Sequence, residues 1–180
     1  MALTRLGHGA YPSGAVLQVQ RTRITAVDTQ ALTQNSMTAI NGMSVNITPK
    51  FSNSLIRLDA HFFGEFGHVQ NSFNHTIAFM RDSTGLHETP VGSRNYGYGM
   101  VTRTYWNASA DDAGTTPETG AIFDYDTPST TSQVTYKLAM RVYSDGSGTD
   151  LLTINRVKTD SDAAYVEYGI SQISAMEIKQ

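Results

Sequence analysis

From Gly42 to Phe63 the chain reads G-M-S-V-N-I-T-P-K-F-S-N-S-L-I-R-L-D-A-H-F-F. Met43, Val45 and Ile47 alternate with Ser44, Asn46 and Thr48; Ile56, Leu58, Ala60 and Phe62 alternate with Arg57, Asp59 and His61. A period of two puts the apolar side chains on one face of a pleated strand and the polar ones on the other. Between the two runs, Pro49 to Ser54 supply turn residues, and Pro49 has no N–H to give to a ladder. The stretch therefore predicts two half-buried strands joined by a short connection and pairing as antiparallel neighbours.

The same reading extends along the chain. Ala15 to Val27 is an expected strand, with Leu17, Val19 and Arg21 opposite Val16, Gln18 and Gln20; Asp28 to Asn41 is an expected crossing. His75 to Arg81, Tyr96 to Trp106 and Gly120 to Tyr125 are further expected strands, and Asn107 to Thr119 is a polar excursion. In Gln133 to Tyr143, Val134, Tyr136, Leu138, Met140 and Val142 share one face. The turn D-G-S-G at Asp145 to Gly148 predicts that Leu151 to Arg156 returns as its partner. Tyr165 to Ile178 closes the chain. About nine or ten strands without a helical period read as an all-β, single-domain, jelly-roll-like β-sandwich. Its core is expected where the Ile56/Leu58/Phe62 face meets the Tyr136/Leu138/Met140 face.

A chain of 180 residues suits one domain. Its charged fraction of 16% is below the usual figure of about 25%. A net charge of -3 without clustered Lys and Arg argues against nucleic acid as a partner. There is no cysteine, which excludes disulfides and thiolate chemistry. No run approaches the ~18 apolar residues of a helical membrane span, and the N-terminus has no apolar signal core, so synthesis in a cytoplasm is expected and no membrane partner is.

Motifs for chemistry are few. His61, His68 and His75 recur every seven residues. Seven is odd, so His61 and His68 of one strand would face opposite ways, and surface histidines are the plainer reading than a metal site. Asp111, Asp112 and Glu118 fall in one loop without calcium-loop spacing. The glycines of Tyr96 to Met100 do not form a phosphate loop. Of the aromatics Tyr96, Tyr98, Tyr105 and Trp106, the pair Tyr105 and Trp106 is the candidate contact for a glycan, against the ordinary role of strand aromatics in cores and interfaces. No nucleophile elbow or marked carboxylate pair occurs, so no catalytic, cofactor-binding or metal residues are assigned and no cofactor is expected.

Residues 1–14 read as an N-terminal arm, and 15–180 as the sandwich domain. Gly7, Gly9, Pro12 and Gly14 break regular structure, so ordering the arm requires contacts from outside it. Leu3, Arg5, Leu6 and Tyr11 are the groups able to make them. At the other end, Ile170 and Met176 lie on one face of the last strand, Ile173 and Ala175 on the other. A strand apolar on both faces must be covered on both. Ile170, Ile173 and Met176 are therefore the expected subunit interface.

Four blocks carry a resemblance: M-A-L-T-R-L-G followed by P-S-G-A-V-L-Q-V-Q; I-N-G-M-S-V-N-I-T-P-K-F-S-N-S-L-I-R-L; T-S-Q-V-T-Y-K-L-A-M-R-V with L-T-I-N-R after its turn; and I-S-Q-I-S-A-M-E-I. Together they resemble the small β-rich structural proteins of tailed bacteriophages, of the tail-fibre-like, head-fibre and capsid decoration (cement) kinds. The segment from Gly64 to Thr131 departs most. The resemblance implies a jelly-roll-like homotrimer without catalysis, carried on the virion and bound to the major capsid protein or another virion protein. A decoration protein on the capsid shell is the first expectation. The alternatives are a fibre tip that recognises bacterial surface glycan and a small glycan-active enzyme.

Overall fold

The computed structural model describes residues 11–66, 75–86, 91–92, 94, 96–100, 102–103, 117–142, 150–164 and 166–180. Among them are twelve strands and no helix: β1 (Val16–Ile24), β2 (Asp28–Leu32), β3 (Met37–Ile47), β4 (Leu55–Phe66), β5 (His75–Arg81), β6 (Thr84–Gly85), β7 (Gly99–Met100), β8 (Thr102–Arg103), β9 (Glu118–Asp126), β10 (Val134–Val142), β11 (Asp150–Ile154) and β12 (Ser171–Ile178). β6, β7 and β8 are two-residue pieces; the other nine match the expected number.

Two antiparallel sheets face each other. In the first, β1, β12, β4 and β9 lie side by side; β11 continues along β4 beyond β12, β2 pairs β11, and β8 pairs β9. In the second the order is β3, β10, β5, with β6 and β7 both on the far side of β5. From β2 to β5 and from β9 to β11, successive long strands change sheet at each connection. The four-strand orders β1-β12-β4-β9 and β3-β10-β5-β7 are those of a jelly roll, two interlocked Greek keys.

The core lies where the alternation places it. Ile56, Leu58 and Phe62 of β4 and Tyr136, Leu138 and Met140 of β10 are all fully buried between the sheets, joined by Met43, Val45 and Ile47 of β3. The pairing, however, differs from expectation in two places. β3 and β4 are not neighbours: β3 pairs β10, whereas β4 lies in the opposite sheet. Alternation specifies which face a strand buries, and two strands burying faces toward each other across a core show the same pattern as two paired strands. Residues 48–54 therefore bridge the layers. Fully buried Glu177 of β12 pins them: its carboxylate accepts the Ser54 hydroxyl at 2.6 Å, the Lys50 N–H at 2.7 Å and the Gln18 side-chain amide at 2.6 Å. Likewise, residues 150–154 do not return beside β10. Both edges of β10 are taken by β3 and β5, so this segment crosses over and pairs β2 and β4. The region 28–41, read as a crossing, holds β2 and the start of β3; β2 is polar because it is an exposed sheet edge.

One edge of β4 changes partner at Phe63, from β12 to β11. The seam is filled by fully buried Asn155 and Ser171. The Asn155 amide donates to the carbonyls of Ile24 and Ala26, each at 2.8 Å, and its Oδ1 accepts the Ser171 hydroxyl at 2.7 Å. Its backbone N–H donates to the Phe63 carbonyl at 2.9 Å, and the Phe63 N–H donates to Ser171 Oγ at 3.0 Å. Asn155 has φ of 62°, a left-handed conformation that Asn tolerates better than most residues. Next to it, Gly64 is required: a Cβ there would collide with the Thr153 carbonyl and the Phe62 ring.

Of the expected arm, residues 1–10, and with them Leu3, Arg5 and Leu6, lie outside the described residues. Tyr11 is half-buried, and its carbonyl accepts Lys179 Nζ at 2.6 Å; the Gly14 N–H donates to the Lys179 carbonyl at 2.7 Å. Residues 11–14 are thus fastened to the end of the chain's last strand. The hairpin turn expected at Asp145 to Gly148 lies outside the described residues as well.

Two stability outcomes follow from these contacts. Phe62→Ala should cost about 3–5 kcal/mol in denaturant unfolding, while His61→Ala, on the opposite face of β4, should cost less than about 1. Equal losses would reject the assigned faces. At the seam, Asn155→Ala should cost roughly 3–5 kcal/mol by leaving buried carbonyls and a hydroxyl without partners. Asn155→Gly loses the same bonds but accepts the positive φ, so it should be about 1 kcal/mol milder than Ala.

Candidate functional site

The outer face of the first sheet is the broadest continuous functional candidate among the described residues. Strand registers place its outward side chains in four rungs across β1, β12, β4 and β9. The lowest joins Val16, Ile178 and Leu55, and the next Val19, Met176, Arg57 and Tyr125. Above them run Arg21, Ser174, Asp59 and Phe123, then Arg23, Gln172, His61 and Ala121. The lower two rungs are chiefly apolar and the upper two chiefly polar around one aromatic ring.

Phe123 is 53% exposed, and its ring meets Tyr125 edge to face at 6.4 Å between centroids. The Arg57 guanidinium lies 5.7 Å from the Phe123 centroid and donates to both oxygens of Asp59, Nε at 3.0 Å and Nη2 at 2.9 Å. This two-pronged bond to Asp59 raises the Arg57 pKa above its ordinary value. Both residues are about two-fifths exposed, so the pair orients side chains more than it stabilises the fold. His61 Nδ1 lies 3.2 Å from the Ile170 carbonyl. A carbonyl only accepts, so Nδ1 donates in this contact, and in the Nδ1–H tautomer Nε2 is an acceptor. Between these groups, over the short side chains of Ala121 and Ser174, the face sinks into a depression of about 250 Å³.

The aromatics stand outward because β9 is reversed in polarity. Its inward positions are Ile122, Asp124 and Asp126, and Asp124 is buried. Asp126 is satisfied across the sandwich: Arg81 Nη1 of β5 lies 2.8 Å from its Oδ2, and the Tyr136 hydroxyl of β10 donates to the same oxygen at 2.7 Å. In A-I-F-D-Y-D the sequence shows the alternation, but hydrophobicity alone assigns Phe123 and Tyr125 to the core. The signal against that assignment is the need of two inward carboxylates for cationic or hydroxyl partners on facing strands.

The expected interface residues separate. Ile173 is fully buried in the sandwich core, together with Ala175. Met176 lies half-buried on the outer face, and Ile170, just before β12, is 38% exposed. Ile170 and Met176 are therefore accessible at the surface of the chain, and Ile173 is not. Tyr105, Trp106, Asp111, Asp112 and His68 lie outside the described residues. His61 and His75 are on opposite sheets, His75 buried on the inward face of β5, and no group of metal-ligating side chains forms among the described residues.

The inter-sheet link has a measurable pH signature. Burial, reinforced by the bond to Asp126, pushes the Tyr136 hydroxyl well above its ordinary pKa. A pKa raised on folding gives stability that is complete below the unfolded value of about 10 and is lost as pH rises beyond it. Unfolding free energy should therefore fall above about pH 10, and Tyr136→Phe should flatten that slope while costing about 1–2 kcal/mol at neutral pH. An unchanged alkaline slope in the Phe variant would contradict this.

Compared with known proteins, the chain matches no protein-family model, and no curated protein shows significant similarity to it.

Proposed function

We propose that this chain is a non-enzymatic virion structural protein that self-associates as a trimer and decorates the capsid shell. The observation that carries the reading is the lower half of the outer face, where Val16, Val19, Leu55, Met176 and Ile178 stand together on three adjacent strands. Val16 and Val19 are each 51% exposed. Contiguous apolar groups on a sheet face are what an assembly surface provides, and covering them with a second copy gains the transfer free energy that water exposure denies. The four sequence blocks that resemble small structural proteins of tailed phages support the same reading, and three of them supply the strands that build this face, β1, β4 and β12. A jelly roll alone is compatible with many functions.

Light scattering at micromolar concentration should give three times the chain mass of 19.6 kDa. Val19→Asp, at an exposed position that tolerates the change in the fold, should lower that mass to one chain and abolish rebinding to particles stripped of the native protein. A monomeric wild-type chain, or a Val19→Asp variant that still assembles and decorates particles normally, would overturn the reading.

A further inference from the structure

We infer that the depression on the upper rungs of the outer face binds an uncharged sugar residue, with the Phe123 ring as its stacking platform. The site stands apart from the lower apolar rungs and does not depend on the virion reading.

The size is the first argument. A cavity of about 250 Å³ is smaller than the roughly 300–1,000 Å³ that encloses a drug-sized ligand, and suits one ring of sugar dimensions. The second argument is the composition of its walls. Phe123, 53% exposed with the Arg57 guanidinium 5.7 Å from its ring centroid, borders the depression on one side, and an aromatic ring packs against the C–H face of a pyranose, whose axial hydrogens are weakly positive. On the other sides stand Asp59, His61, Gln172 and Ser174. Sugar hydroxyls each donate and accept, so a sugar site needs both kinds of partner in a small space. Asp59 and His61 Nε2 accept, the Ser174 hydroxyl does either, and the Gln172 amide does both at once.

The third argument is that these groups are uncommitted. Among the described residues, neither Gln172 nor Ser174 spends its side chain on an intramolecular hydrogen bond. Each oxygen of Asp59 accepts one bond from Arg57 and retains a lone pair. The side chains are nevertheless held in place, Asp59 by Arg57 and His61 by the Ile170 carbonyl, so less ordering entropy opposes binding. The fourth argument concerns charge. No Arg or Lys is among the described residues that line the depression, and its one carboxylate, Asp59, is neutralised by Arg57; Arg21 and Arg23 stand one strand further out, beside Ser174 and Gln172, so the comparison with charged sugars is part of the test.

The test uses the full chain and saturation-transfer NMR with free glucose, galactose, mannose, N-acetylglucosamine and their short neutral oligomers. Ligand at about 10 mM reveals the weak binding, near a Kd of 1 mM, that one stacked ring affords. Transfer from at least one neutral saccharide is expected, with little from sialic acid or glucose 6-phosphate. Phe123→Ala, at an exposed position, should weaken binding at least tenfold with the melting temperature unchanged; Gln172→Ala should weaken it less. Tyr168→Ala, which removes a tyrosine 57% exposed on a loop, should leave it intact. Three outcomes would overturn the inference: no transfer from any neutral saccharide, transfer that survives Phe123→Ala, or a Phe123→Ala variant whose only change is a lower oligomeric mass. The last would assign the ring to contact between copies of the chain.

Discussion

β4 is the spine of this molecule, and its usefulness depends on a polar seam. The strand carries β9 along one edge and two different strands in succession along the other. Two strands abutting end to end leave backbone groups that no ladder satisfies, and burying such groups bare costs about 1–3 kcal/mol each. Asn155 and Ser171 replace the missing ladder with side-chain amide, hydroxyl and backbone bonds. Because of that substitution, β11 and β2 can extend the first sheet beyond the jelly roll while β12 and β1 remain in it.

What the sequence made legible was the inside of the molecule. Alternation in β3, β4 and β10 marks the buried residues because the apolar positions there are long, regular and uninterrupted. Sheet membership was not legible, since a strand burying its face toward another across a core has the pattern of a strand paired with it. β2 escaped because an edge strand with little to bury has no alternation to show. The outer face was read only in part. Met176 and Ile170 stood out as apolar residues out of phase with the core, but Ile173 was grouped with them although its phase is that of the core. Phe123 was invisible as a surface residue, for its exposure is decided by acids at the neighbouring positions and by partners on β5 and β10, distant in sequence.

The outer face divides its chemistry by height. Below, aliphatic groups from three strands make a surface suited to a protein partner. Above, hydrogen-bonding groups and one ring surround a hollow created by two short side chains. The Arg57–Asp59 pair lies between the halves. As an internal ion pair it adds no net charge to either half, whereas Arg21 and Arg23 stand on the upper rungs beside Ser174 and Gln172.

The reversed polarity of β9 makes it vulnerable to misalignment. A slip of one residue against β4 would turn Phe123 and Tyr125 inward and expose Asp124 and Asp126, and burying two aromatic side chains is worth about 1.5–3 kcal/mol each. On hydrophobicity alone the slipped pairing competes with the native one. It is penalised because Arg81 and the Tyr136 hydroxyl would then lose their carboxylate and be left facing an apolar layer. The Arg81–Asp126–Tyr136 cluster therefore favours the native alignment of β9 against β4 over the slipped one. The native register keeps the aromatic rings outside, where a partner can reach them.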